Sequence, residues 1–169
     1  MLAILAERAA GTPYHELVLE RVCRRAGMQH TDFPRSDEPA TDVARGYLGV
    51  PARENVLHLP VRGVGDGGIT STTADILALW DAFYAGRIVS PAWVREMVRP
   101  RGPHPDGGER YGIGFWLHAR GDAVILEGMD AGISFRSVRH PSAQVTHTVI
   151  SNTSEGAWPI TKVLEGSIG

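Results

Sequence analysis

Tyr111-Gly112-Ile113-Gly114-Phe115-Trp116-Leu117-His118, together with the chain beyond it as far as Asn152, decides the fold. The octet is aromatic and aliphatic with interspersed glycine, which predicts a strand over 111–118. Arg120-Gly121-Asp122 supplies a hairpin turn into a second strand over 123–127. Glu127 to Gly132 carries the chain to a third run, 133–140, where Ile133-Ser134-Phe135-Arg136-Ser137-Val138-Arg139 alternates apolar and polar. Period two predicts one packed and one wet face, with Ser134 on the wet one. His140-Pro141-Ser142-Ala143 turns the chain into a β-branched strand over 145–150, and Ala157 to Gly166 reads as a closing helix with Pro159 in its first turn. Residues 111–169 therefore predict an antiparallel sheet with a terminal helix, and the chain as a whole an α+β fold.

Composition narrows the function classes. At 169 residues, 43% hydrophobic and 21% charged, the chain suffices for one domain that buries roughly 70% of its unfolded surface. A formal net charge of −2 provides no basic field for nucleic acid or anionic lipid. Lys162 is the only lysine, and the other basic side chains are scattered arginines. Cys23, the sole cysteine, sits in an apolar helical pattern, which excludes an internal disulfide and predicts a small buried hydrophobe. No basic leader and no apolar run near 18 residues is present, so neither export nor a membrane partner is expected of the chain as given, which taken alone is cytoplasmic, and the compartment of the parent stays open.

Upstream of the sheet the helical signals are capped and periodic. Leu2, Ile4, Leu5 and Ala9 have helical spacing that is already running at the first residue, as if the chain entered in mid-helix. Gly11-Thr12-Pro13 closes that helix and opens the next, with Thr12 as expected N-cap and Gly27 as the stop. Over 14–26, Leu17, Val18, Val22 and Cys23 face inward. Residues 34–68, rich in proline, glycine and charge, predict an irregular excursion over the surface. Ser71 or Thr72 caps a helix whose N-terminus Asp75 complements, with Ile76, Leu79, Trp80 and Phe83 as its buried stripe. Ser90-Pro91 opens a shorter helix anchored by Trp93 and Val94, and Pro100 to Gly108 forms a turn-rich link into the sheet.

Several of these stretches form a resemblance. Gly27-Met28-Gln29-His30-Thr31-Asp32-Phe33, Gly46-Tyr47, Gly67-Gly68-Ile69-Thr70-Ser71-Thr72-Thr73-Ala74-Asp75-Ile76-Leu77-Ala78-Leu79-Trp80, Tyr111-Gly112-Ile113-Gly114-Phe115, Gly128 to Ser134 and Val149-Ile150-Ser151-Asn152-Thr153 succeed one another in a particular order. That order resembles the C-terminal half of the serine β-lactamase and penicillin-binding-protein-like hydrolases, in the class C β-lactamase and esterase branch. The resemblance implies a single partial domain over 1–169, with a loop over 34–68, hydrolysing amides or esters. It also implies a substrate edge at Leu126, Glu127, Gly128, Met129 and Asp130, where the family carries Lys-Thr-Gly or His-x-Gly and only Gly128 matches. The Met129 backbone amide corresponds to an oxyanion-hole donor. Leu126 and Glu127 replace the cation and the small residue expected to meet a substrate carboxylate, and Glu127 would repel one.

The rest of the family's machinery is missing from this sequence. Its nucleophile is a serine three residues before a lysine, yet three residues before Lys162 stands Pro159, and no Tyr-x-Asn or Ser-x-Asn occurs. The resemblance implies that both elements lie before Met1. Such a chain would be inactive alone and would meet a small acyl substrate only with a complementary N-terminal half, and an uncovered sheet edge would promote self-association. Alternatives are a non-catalytic binding module on the same half-fold, or one half of a split enzyme. No cofactor is implied. The histidines lack metal-ligand spacing, Gly63-Val64-Gly65-Asp66-Gly67-Gly68 lacks the βαβ context of a dinucleotide site, and the four tryptophans read as core and sheet-edge anchors.

Overall fold

The computed structural model describes residues 1–38, 41–102 and 108–167. The link expected over 100–108 lies in large part outside them. Five antiparallel strands form one sheet in the order β3-β4-β5-β6-β7: Arg110–Tyr111, Trp116–Leu117, Val124–Asp130, Ile133–His140 and Val145–Ser151. β5 and β6 pair from Val124↔Arg139 to Asp130↔Ile133 around a two-residue turn in which Gly132 takes φ 77°, a conformation that L side chains rarely adopt. β6 and β7 pair from Ser134↔Ser151 to His140↔Val145.

The first expected strand, 111–118, is instead a tight hairpin in which Tyr111 pairs with Trp116. The cause is its two glycines. Gly112 donates to the Phe115 carbonyl at 2.9 Å, Gly114 takes φ 80°, and a Cβ on Gly112 would collide with the Met97 carbonyl. The second strand runs past its expected end at residue 127 to Asp130, because the turn needs only Ala131 and Gly132.

Helices cover both sides of the sheet. On the Leu126 and Ser137 side lie α4 (Thr73–Tyr84) and α5 (Pro91–Met97), where Ile76, Trp80, Phe83, Val94, Leu117 and Val124 form the larger core. Trp80 is fully buried, and its indole N–H donates to Ser137 Oγ at 2.8 Å, which is bonded in turn to Thr148 Oγ1 at 2.7 Å. Burying an indole is worth about 3–5 kcal/mol and one such hydrogen bond about 1, so packing holds α4 down while the bond fixes its register. On the opposite side, Trp116 packs against Ala123, Ile125 and Val138. There α6 (Ala157–Gly166) closes the third layer.

No face of β6 is therefore wet. Ser134 is fully buried; its hydroxyl donates to the Thr153 carbonyl at 2.8 Å and accepts the Ala157 N–H at 3.0 Å, anchoring the start of α6. Alternation predicted a solvated face because serine and arginine are polar, but here their polarity is spent on the helix above them.

The N-terminal helices turn where glycine allows. α1 (Leu2–Ala10) ends at Gly11 with φ 65°, and the next helix runs through α2 (Tyr14–Val18), a π turn (Leu19–Cys23) and α3 (Arg24–Ala26) to Gly27 with φ 78°. Thr12 is not the cap: Pro13 takes that position, and the Tyr14 N–H donates to Glu7 Oε2 of the preceding helix at 3.0 Å. Cys23 is buried, as its pattern implies. Trp93, expected as an anchor, is 58% exposed, leaving Val94 to hold α5.

At the start of α4 the cap is Thr72, whose hydroxyl accepts the Asp75 N–H at 3.1 Å. Buried Asp75 does more than face the helix dipole. Its carboxylate accepts from the Gln29 and His30 amides and from the Thr31 hydroxyl, at 3.1, 2.7 and 2.7 Å. Burial alone would raise its pKa, but these donors outweigh that and lower it. Thr72→Ala should cost about 1 kcal/mol in chemical denaturation, and a variant as stable as the parent would show that the cap does not matter.

Two imidazoles share the α6 side of the sheet, His140 and His147, with ring centroids 5.6 Å apart. Both ring nitrogens of His147 and Nε2 of His140 are buried without a hydrogen-bond partner among the described residues. Burial and then the neighbouring His140 hold the His147 pKa below its ordinary 6.5, with Arg136 acting the same way and Glu165 against. The unfolded chain binds a proton that the folded chain refuses, so this contribution to stability is present above pH 6.5 and is lost as pH falls through the lower folded value. Between pH 7 and pH 5 the melting temperature should fall further in the parent than in His147→Leu. Equal falls in the two would reject the assignment.

Candidate functional site

The unpaired edge of β5 is the site's frame. β4 pairs with β5 only at Ile125 and Val124, so on that flank Leu126–Asp130 has no strand partner among the described residues. Strand alternation puts Leu126, Gly128 and Asp130 on the α4 side and Glu127 and Met129 on the α6 side. Exposure climbs along the edge, from Ile125 at 1% to Met129 at 60%. Leu126 packs against the Trp80 core cluster, so the position that bears a cation in the resemblance is here part of the hydrophobic core.

Glu127, expected to repel a substrate carboxylate, is held in an ion-pair cluster. It points to the α6 side, where its carboxylate bonds Arg136, and the same guanidinium bonds Glu109 and Glu165, each at 2.7 Å. Desolvation would lower the Arg136 pKa, but the bonds from Glu109, Glu165 and Glu127 reverse that and raise it. Glu127 is thus an ion-paired strut of the edge, one of three carboxylates that share a single guanidinium. Asp130 is the exposed carboxylate there, accepting the Ala131 N–H at 2.6 Å.

The far end of the edge is clamped by residues that the sequence reading did not assign to the site. Asn55, 2% exposed, donates from Nδ2 to the Ala131 carbonyl at 2.9 Å. Ser154 accepts the Gly132 N–H at 2.8 Å and donates to the Asp130 carbonyl at 3.0 Å. Gly46 lies so close to Asn55 and the Gly132 carbonyl that a Cβ would strike both. The excursion over 34–68 is therefore partly ordered where described: β1 (Tyr47–Leu48) pairs with β2 (Arg53–Glu54), a 3₁₀ turn covers Val56–His58, and the segment is tied to the β5–β6 turn. Gly46 was the available signal, since glycine is the default residue where the backbone must be approached closely.

Other candidates stand elsewhere. Lys162 is exposed on α6, on the side of the sheet away from Leu126. Gly63–Gly68 is a tight turn against α1, with Val64 bridging Gly67 and Gly65 meeting Ala3, so its glycines are explained by packing. Among the described residues no cluster of three or more metal-binding side chains exists, and no helix is long and apolar enough to cross a membrane.

Comparison with known proteins places this geometry. The Beta-lactamase family model matches residues 1–159. A penicillin-binding protein from Bacillus halodurans superposes with a TM-score of 0.91 at 27% identity, over 98% of this chain and 53% of its own. D-amino acid amidase from Ochrobactrum anthropi SV3, complexed with L-phenylalanine, superposes at 0.72 with 20% identity over 96% and 53%. A D-stereospecific amidohydrolase from Streptomyces sp. does so at 0.67 with 18% identity over 88% and 46%. No curated protein sequence matches. The fold is that of the β-lactamase and transpeptidase-like serine hydrolases, in part. The chain belongs to the β-lactamase family and spans about half the length of the solved structures that it matches.

The electrostatic strut is testable. Arg136→Met leaves three carboxylates gathered without their cation, and because the guanidinium is only 12% exposed the cost should be about 2–3 kcal/mol, well above that of an exposed pair. Urea denaturation of the parent, Arg136→Met and the exposed-pair variant Arg24→Met decides it, and equal losses in the two variants would dismiss the strut.

Proposed function

We propose that this chain is the half of a serine hydrolase that carries the substrate-binding edge, and that it cleaves amide or ester bonds only when completed by a segment bearing Ser-x-x-Lys and Tyr-x-Asn. The observation that carries the reading is the unpaired edge Leu126–Asp130, in a sequence whose one lysine stands three residues after a proline. In the completed site the serine hydroxyl attacks the acyl carbonyl, the lysine amine takes its proton and passes it to the leaving amine or alcohol, the Met129 N–H steadies the oxyanion, and water then cleaves the acyl-serine to release the acid and restore the hydroxyl. The chain alone keeps a backbone donor without a nucleophile.

A second reading has its own support. Leu126, packed into the core where a cation is expected, suits a non-catalytic module that uses the edge for docking. Both readings need the chain to meet a partner, and exposed Leu2, Ile4 and Leu5 of α1 offer surface either for a complementary half or for self-association.

The deciding experiment is ester and β-lactam turnover with fluorophosphonate labelling, first on the chain alone and then with a polypeptide carrying the missing motifs. The chain alone should stay at background and the assembly should exceed it, because each catalytic group supplies a factor of about 10² to 10⁴. Stoichiometric labelling of the chain alone, abolished by mutating one of its serines, would overturn the proposal. Tight assembly without turnover would favour the docking module.

A further inference from the structure

We propose that the recess between the 34–68 segment and the Ala131–Ile133 turn binds a neutral apolar group the size of one ring, and that in the assembled hydrolase this group is a side chain of the acyl substrate. The second half of this statement rests on the function proposed above; the first does not. The recess has a volume of about 140 Å³, and Val43, Val56, Leu59, Ile69 and Ile133 give it an apolar lining. A dry cavity of about 150 Å³ is enough for a benzene molecule. Ile69 and Ile133 remain 43% and 36% exposed, so two of its large aliphatic walls await cover.

Position ties the recess to the substrate edge. Ile133 pairs with Asp130, and alternation puts its side chain on the face that carries Leu126, Gly128 and Asp130. Asn55, which lines the recess, also holds the Ala131 carbonyl at the end of that edge. A substrate lying along Leu126–Asp130 on the α4 face would therefore run towards the recess.

Charge complementarity selects the occupant. Both guanidiniums at the recess are already neutralised: Arg35 bonds Asp37 at 2.7 Å and lies 3.2 Å from Glu38, and Arg45 bonds Glu54 at 2.7 Å. Three uncharged side chains are engaged as donors as well. Asn55 Nδ2 donates to the Ala131 carbonyl, Ser36 Oγ to the Pro60 carbonyl at 2.9 Å, and Thr70 Oγ1 to the Asp32 carbonyl at 3.2 Å. The guanidiniums are matched by Asp37, Glu38 and Glu54, so the recess offers an anion no net positive charge, and each of those carboxylates already lies against a guanidinium. A charged group would lose its hydration without replacement, whereas a neutral ring gains contact with every aliphatic wall.

The test uses the 169-residue chain and three probes of one size, benzene, benzoate and benzylammonium, followed by amide NMR shifts. Benzene should shift Ile69, Ile133 and the Asn55 side-chain amide saturably, and both charged probes should bind at least about tenfold more weakly. Ile69→Trp, which fills the recess, should abolish the benzene shifts; Val56→Phe fills it from another wall should the first variant melt early. Absence of saturable shifts, or benzoate binding as well as benzene, overturns the site. In the assembled enzyme, Ile69→Trp should raise KM for a phenylacetyl ester and leave both kcat and the acetyl ester unchanged. An equal effect on the two esters overturns the substrate assignment while leaving the hydrolase reading intact. Loss of benzene binding on assembly also overturns it, since the recess would then hold a side chain of the complementary segment. Absence of any turnover on assembly defeats the hydrolase reading and with it the substrate assignment, whereas the chain-alone titration still decides the site.

Discussion

Arg136 ties together three pieces of chain that are far apart in sequence: Glu109 just before β3, Glu127 on β5 and Glu165 on α6. A guanidinium this buried would be costly without partners, and three carboxylates crowded without a cation would repel one another. Each party is tolerable only in the presence of the others, so the network forces the short β3–β4 hairpin, the edge strand and the terminal helix into one arrangement. It also sets which way β5 faces. With Glu127 drawn to the α6 side, alternation gives Leu126 and Gly128 to the α4 side, where the Trp80 core receives them.

The edge is thus fixed by different chemistry along its length. At its start, Val124 and Ile125 are buried in the two cores; in its middle, Glu127 is held by charge; at its end, Asn55, Ser154 and Gly46 grip the turn through backbone carbonyls and a close approach. Among the described residues, only the flank facing away from β6 has no strand partner. A strand held this firmly presents its unpaired backbone groups in a set geometry, which is what a site working through backbone donors requires.

Sequence reading recovered the elements whose cause is local. The Thr72 cap, the glycine stops at Gly11 and Gly27, and the alternation of β6 all depend on neighbours within a few residues. It failed where the cause is distant. Two short strands looked like one over 111–118 because the collision that demands glycine at position 112 is with Met97, on another helix. Ser134 and Arg136 read as solvated because polarity alone cannot reveal that α6 and three carboxylates cover them. Asn55, inside a stretch with no periodicity, offered no local pattern at all.

α1 is the element least accounted for by its own surroundings. It has nine residues, none of them buried, and carries Leu2 at 82% exposure with Ile4 and Leu5 at 53%. A helix that short has little stability of its own in water and normally depends on packing an apolar face. Here Glu7 caps the following helix and Ala3 touches Gly65, but its large apolar side chains keep most of their contact with solvent. The sheet, by contrast, has both faces covered by its own helices. Exposed apolar side chains therefore gather on α1 and recur at Met129, Val50, Leu57 and Val163, outside the core. The chain holds enough interior to fold its sheet, while Leu2, Ile4 and Leu5 of α1 and Met129 at the flank of β5 keep their apolar surface in water.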